Sequence, residues 1–412
     1  MGFADKYLKK TNNETQTLFC VDDLPETSLI TIIPAFDEPE ILTCLKSLAE
    51  CIDPGNDVLV LVLFNAGEYA TEKSIEQNRI GHDEVVCFSK SDNCPKWLTI
   101  RSGIVENIRK KKAGVGYARK TLMDTAVWLA NKWEHPNLLI SSLDADCLVS
   151  LNYFIELNRF AKRDNKAFYT HYFEHSIDSD VTLDGQIVDY ELHLRYYSEA
   201  LRSVGFPFAF HTVGSAFSVR AFAYVKQGGM NDRKAGEDFY FLHKLTPLES
   251  CGKIDSIVVY PGVRLSDRVP FGTGPMLKKG VDGDEDLSLS YPYCSFDIIK
   301  ELFDQIDIFY IEHSMKTVIT SPVLIDFMCS RGDFDKLAEL KKNCSSLVVF
   351  RKRFFHLFDA FWILKCLNFQ QSNGNIKSST MNELSKMGLI PYKSSTLEAL
   401  QILRDREKLQ NK

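Results

Sequence analysis

Asp144 and Asp146 stand two residues apart, directly after the apolar run N-L-L-I-S-S-L at 137–143. Two carboxylates at that spacing, on a loop leaving a strand, can approach one divalent cation together. Mg²⁺ and Mn²⁺ favour such oxygen ligands and keep positions open for water and a substrate phosphate. A solvated turn is the plain structural alternative, and the location at a strand end favours the site. A second acidic pair, Glu237 and Asp238, follows Gly236 in G-E-D-F-Y-F-L. Taken alone it reads as helix capping, with acids at the positive end of a helix. Beside a metal-binding crevice, one of the two can act as general base toward an incoming hydroxyl. In A-G-V-G-Y-A-R-K, residues 113–120, glycines open a long helix that carries Arg119 and Lys120. Exposed N–H groups and a guanidinium suit an anionic diphosphate, which makes Arg119 the electrostatic candidate for it. The G-K-[ST] ending of a Walker loop and the GxGxxG spacing are both missing, and a loop with surface cations is the competing reading.

These segments need a scaffold that brings them to one place. L-I-T-I-I (29–33), V-L-V-L-V-L-F (58–64), V-V-C-F (85–88) and L-L-I-S-S-L (138–143) are short apolar runs, predicted as strands covered on both faces. Helices are predicted over about 38–51, 69–79 and 116–133, the last from Ala118, Leu122, Ala126, Leu129 and Trp133 at helical spacing. Strand then helix, repeated, implies an open α/β sheet with helices on both faces and a ligand crevice beyond the carboxyl ends of the strands. That rule selects Pro34, Phe36, Asp37 and Glu38 after the first run, Asn65 after the second, and Asp144 and Asp146 after the last. Asp37 also reads as a helix cap, with Pro39 in the first turn and Glu40 at the capping-box position. Glu38 is assigned to the site.

Further along, a helix near 151–163, a strand near 167–173, a helix near 187–203, a strand-like segment over 208–219 and a helix from Gly236 are expected. Gly and Pro are too frequent in 261–275 for regular structure, and D-G-D-E-D at 282–286 is solvated. The expected organisation is a lead-in at 1–27, an α/β domain at 28–275, an acidic linker at 276–290 and a mainly helical region at 291–412.

Composition narrows the classes. With 45% hydrophobic and 25% charged residues the chain folds rather than staying disordered. Forty-nine basic against 55 acidic residues lack the basic footprint of a nucleic-acid binder. Eleven scattered cysteines without a CxxC pair argue against a zinc module or a disulfide framework, and point to reduced thiols in a cytoplasmic compartment. The start, MGFADKYLKKTNNE, has no signal-peptide pattern, and Gly2 lacks the Ser or Thr of a myristoylation site. Within 291–412, the apolar stretch Ser346 to Phe369 carries Arg351, Lys352, Arg353, His356, Asp359 and Lys365, which argues against a bilayer span. A buried helix is expected there. A helix lying peripherally on the inner membrane face through 346–369 is the alternative.

Taken together, the motifs resemble the GT-A-fold glycosyltransferases, most closely family 2. I-T-I-I-P-A-F-D-E-P-E (30–40) is similar to the opening strand and nucleotide-binding turn, usually V-x-I-P-x-Y-N-E. S-L-D-A-D-C (142–147) is similar to the DxD region, G-S-A-F-S-V-R (214–220) to the acceptor-side segment, and G-E-D-F-Y-F-L to the ED motif. The resemblance covers about 28–275 and rests on four motifs in order. It implies that Pro34, Phe36 and Glu38 border the nucleoside, that Asp144 lies near ribose and metal, that Asp146 binds the metal, and that Asp238 is the base with Glu237 beside it. The chain departs from the family at F-N-A-G-E, where D-D-G-S is frequent, so that Asn65 takes the place of the acid that reads the base. The Q-x-x-R-W signature of processive synthases and their membrane helices are absent. R-L-S-D-R-V-P-F-G-T-G (264–274) occupies the place of a C-terminal gating loop, with Arg268 reaching phosphate or pairing with Asp267. His171, His175, His193 and His211 are expected to be structural or to line the acceptor site.

The expected function is inverting transfer of a sugar from a nucleotide-diphosphate donor to a glycan, lipid-linked or other hydroxyl acceptor, with Mg²⁺ or Mn²⁺ on the DxD acids. A nucleotidylyltransferase of similar fold is one alternative, and its Gly-rich first loop is missing after Ile33. A non-catalytic adaptor of GT-A-like fold is the other, and the intact D-A-D and G-E-D motifs disfavour it.

Overall fold

The structure, a computed structural model, describes residues 2–11, 18–19, 24–163, 166–177, 181–231, 236–266, 272–311 and 318–409. The chain forms two compact units. One comprises Met1–Asp178, Thr212–Lys278 and Lys408–Lys412, the other Ser179–His211 and Lys279–Glu407.

The first unit is built on a mixed sheet. Strands β1 (Leu29–Ala35), β2 (Val58–Gly67), β3 (Leu98–Ile108) and β4 (Leu139–Ser142) form a parallel half, and β5 (Leu148–Val149), β6 (Phe168–Phe173), β7 (Phe217–Arg220) and β8 (Cys251–Tyr260) complete it. The order is β3-β2-β1-β4-β7-β6-β8-β5, with β7 antiparallel to both β4 and β6. β1 is buried throughout and β2 as far as Ala66, as expected of parallel strands covered on both faces. This is the α/β architecture the apolar runs predict.

Two segments differ from expectation for a shared reason. V-V-C-F is not a strand. It belongs to the helix Glu72–Ser89, whose Thr71 hydroxyl accepts the Ser74 N–H as N-cap. The buried stripe of that helix is Ser74, Asn78, Gly81, Val85 and Phe88, at alternating spacings of four and three. Its first three members are polar or small, so apolar periodicity does not reveal it. The true third strand, β3, reads L-T-I-R-S-G-I-V-E-N-I. It sits at the sheet edge, paired with β2 alone, and its interrupted burial accommodates polar residues. β8 was likewise unanticipated, and of the strand-like stretch 208–219 only the end is strand, as part of β7. Asp37 caps no helix. The helix after β1 starts at Ile41 with Glu40 as N-cap, and Asp37 adopts φ 51° with its carboxylate accepting the Ser74 hydroxyl.

The second unit is mainly helical, with a two-strand ladder between Leu289–Ser290 and Ser378–Ser379. The segment expected to be an acidic linker begins inside the helix Thr273–Asp282. Ser346 to Phe369 is two helices rather than one, Leu347–Leu357 and Ala360–Ser372. The break falls where the Asp359 carboxylate accepts the Trp362 N–H at 2.9 Å and starts the second helix. Phe350, Phe354, Phe358 and Trp362 are buried, whereas Arg351, Lys352 and Arg353 are exposed. No helix of the described residues is long and apolar enough to cross a membrane. The ten described cysteines are free.

Candidate active site

The acids at the carboxyl ends of β1 and β4 are organised by two guanidiniums. The first belongs to Arg119, in the second turn of the helix Val115–Lys132, which packs against β1. Its side chain is 2% exposed. Nε donates to Glu237 at 3.2 Å, Nη1 to the Ser142 hydroxyl at 2.7 Å and the Gly214 carbonyl at 2.8 Å, and Nη2 to Asp144 at 3.0 Å. Expected at a diphosphate, Arg119 thus commits all three nitrogens to protein acceptors. Four distant segments meet there: the end of β4, the loop before β7, the DxD loop and the head of the helix Glu237–Leu245. Gly214 permits this approach, because a Cβ there would lie 2.8 Å from Arg119 Nη2 and 3.1 Å from Asp238 Oδ2.

The second guanidinium is Arg264, in the loop after β8, which sequence reasoning passed over in favour of Arg268. It grips Glu38 with both Nη atoms, one at 2.7 Å, and Nη2 also donates to Asp146 at 3.0 Å. The backbone of this loop presses on the same acid, since a Cβ on Gly262 would come within 2.9 Å of Asp146 Oδ2. The signal that could have found Arg264 is its position four residues beyond a strand end; β8 itself carries too little apolar alternation to announce that end. Asp267 and Arg268 lie outside the described residues.

Asp144, Asp146, Glu237, Asp238 and Glu38 are therefore held around one crevice, with the Cys44 thiol beneath Asp144 and within the field of Glu38, Asp144 and Asp146. Burial pushes that thiol up, as it does Cys147, so both are inert. Asn65 is buried in β2 and donates to the Gly114 carbonyl, while its own carbonyl accepts from Asn78. Pro34 is buried within β1, and Phe36 is half-buried just beyond it. His171 and His193 are held by Ser218 and Ser290, and burial depresses both, to about 3 and about 4.

The carboxylates are not equivalent. Burial raises Asp144, and the adjacent Arg119 charge opposes that rise. Asp238 is pushed up to about 7, first by burial and then by the neighbouring Glu237 charge, with Arg119 and the Phe239 N–H acting in the other direction. An acid poised near neutrality in a crevice has the property a general base needs. Asp144 and Asp146 supply hard oxygen donors, and no group of three or more His, Cys, Asp or Glu suited to a metal occurs among the described residues. Such a two-carboxylate set suits Mg²⁺ or Mn²⁺ that takes its remaining ligands from water and phosphate.

No family model matches the chain, and no curated protein does. Among solved structures it is similar to S. aureus TarS 1–349 in complex with UDP-GlcNAc, at 12% identity over 70% of this chain and 77% of that one, with a TM-score of 0.41. It is also similar to the mannosyltransferase PcManGT from Pyrobaculum calidifontis in complex with GDP-Man and Mn²⁺, at 13% identity over 99% and 93% of the two chains, TM-score 0.37. A third is glucosyl-3-phosphoglycerate synthase from Mycobacterium tuberculosis in complex with Mn²⁺, UDP and phosphoglyceric acid, at 10% identity over 66% and 78%, TM-score 0.34. Overlaps this loose do not transfer residues from one chain to another.

If Arg119 organises the crevice, Arg119→Leu leaves buried acids without a counter-charge, and breaking a buried pair in this way costs about 3–5 kcal/mol. Urea denaturation measures the loss. A cost under about 1 kcal/mol, the scale of an exposed pair, would show that the guanidinium organises nothing.

Proposed function

We propose that this chain is a GT-A-type, inverting glycosyltransferase that moves a sugar from a nucleotide-diphosphate donor to a hydroxyl acceptor. The observation that carries the reading is the pairing of Asp144 and Glu237 with Arg119, with Asp238 within the field of that guanidinium and Asp146 and Glu38 paired with Arg264, at the carboxyl ends of the parallel strands. Asp238, with its affinity for a proton near neutrality, takes the proton of the acceptor hydroxyl. The acceptor oxygen then bonds to the anomeric carbon from the face opposite the diphosphate, and the bond from that carbon to the diphosphate oxygen breaks. Arg119 acts through the acids, holding Asp144 and Glu237 in place. Asp144 and Asp146 would hold Mg²⁺ or Mn²⁺, which when bound offsets the charge that develops on the diphosphate. Phe36 and Glu38 border the nucleoside, with Pro34 supporting the turn and Asn65 on the neighbouring strand. A peripheral membrane contact through 346–369, the alternative to a wholly buried role, would use the exposed part of Leu347–Leu357, where Val348 is 64% exposed and Arg351, Lys352 and Arg353 are exposed.

Asp238→Asn should lower kcat by about 10²- to 10⁴-fold, the usual contribution of a general base, while donor still binds. In the wild type kcat/KM should rise with pH through about 7, because the proton held on Asp238 must leave first, and the Asn variant should lack that limb. A limb that persists in the variant excludes Asp238 as the base. The same proton makes the folded chain lose stability as pH climbs from 3.8 through about 7, so the Tm of the Asn variant relative to wild type should rise progressively across that window and level off above it.

Asp146→Ala should weaken donor binding in the presence of Mn²⁺ much more than in its absence. Calorimetry with UDP and GDP, with and without Mn²⁺, separates the two, and equal loss in both arms would remove Asp146 from the metal. Vesicle sedimentation tests the basic face: binding to anionic phosphatidylglycerol vesicles should exceed binding to neutral phosphatidylcholine and fall with added salt. Equal partition to both would discard the membrane contact.

A further inference from the structure

Arg264 has no task in the transfer scheme above, yet it is held more firmly than a half-buried arginine on a loop needs to be. Three contacts tie its two Nη atoms to Glu38 and Asp146. Its Nε is buried and donates to nothing among the described residues. A buried donor without an acceptor is costly, and a guanidinium is shaped for bidentate contact with phosphate. The loop that carries it also leans on Asp146 through the backbone at Gly262. The guanidinium therefore occupies Asp146 Oδ2, one of the two oxygens that residue could offer a divalent cation, and two cations in contact with one carboxylate oxygen repel strongly. A diphosphate relieves that repulsion, because its oxygens can serve the cation and the guanidinium together, including the idle Nε.

We propose that Arg264 is an internal counter-ion that keeps Asp146 from taking up a divalent cation alone and gives it up when a nucleoside diphosphate arrives to receive the guanidinium. This rests on the donor-site reading above and adds to it an order of events. Metal and nucleotide enter as a coupled pair, and each raises the affinity of the other by the same factor. Glu38 is the second anchor: it keeps Arg264 over the crevice and so keeps the acids in shape before ligand binds. Arg264 acts through Asp146 before ligand binds and contacts the diphosphate once it has arrived.

The test is a titration of the full chain with Mn²⁺ alone, and with Mn²⁺ plus UDP or GDP, following the paramagnetic resonance signal of free Mn²⁺. In the wild type the nucleotide should tighten Mn²⁺ binding by a factor within the about 5- to 150-fold usual for coupled sites. Arg264→Gln removes the competing charge, so Mn²⁺ alone should bind roughly tenfold tighter or more, and the gain from nucleotide should shrink. Arg264→Lys, which keeps the charge, should stay near the wild type in the metal-only titration. An unchanged or weaker metal-only affinity in the Gln variant overturns the proposal, and so does a wild type that binds Mn²⁺ equally well with and without nucleotide. If wild type retains no Mn²⁺ with either nucleotide, the donor-site reading falls and takes this one with it. If only the Gln variant fails to differ, the donor-site reading stands and Arg264 is a structural pin.

Discussion

One buried guanidinium, that of Arg119, joins the parts from which the crevice is made. Removing such a charge from water is expensive, and it persists only where acceptors are already in place around it. Here the acceptors come from Ser142 at the end of β4, the Gly214 carbonyl, Asp144 and Glu237. None of these can shift without leaving a buried donor unsatisfied, so the contact works as a constraint on four loops at once. The absence of a side chain at Gly214 follows from it, since the guanidinium and Asp238 both lie within contact of where a Cβ would be.

Around this hub the carboxylates divide by environment. Glu237 and Asp144 are paired with Arg119, and Glu38 and Asp146 with Arg264. Asp238 shares Arg119 only at a distance, sits beside the Glu237 charge and is partly withdrawn from water, and these influences carry its affinity for a proton to near neutrality. Environments that push neighbouring acids apart in this way are the general means by which one enzyme site separates acid and base roles. Both guanidiniums offset a charge density that five converging acids would otherwise make prohibitive.

How much of this was legible depended on how locally each feature is encoded. β1, β2 and β4 were plain from unbroken apolar runs, since a strand buried on both faces has no polar side to confuse the pattern. The helix Val115–Lys132 was plain from its period. The edge strand β3 was hidden because one of its sides meets solvent, and the helix Glu72–Ser89 because Ser74, Asn78 and Gly81 occupy its buried stripe. Among site residues, the acids at 144, 146, 237 and 238 announced themselves by pairing and by position at element ends. Arg119 was recognised as a cation of interest, and its burial was not. Arg264 went unnoticed because its importance lies in reaching Glu38, 226 positions away.

By itself, then, the sequence determined the parallel core, the helical C-terminal region and the two acidic motifs, because side-chain burial and helix or strand period are properties of neighbouring residues. Only the tertiary structure decided which cation each acid meets, that Arg119 faces protein rather than solvent, and that Asp238 holds its proton near neutrality. Those are matters of distance and dielectric between groups far apart in the chain, and they have no value until the loops at the ends of the strands have come together.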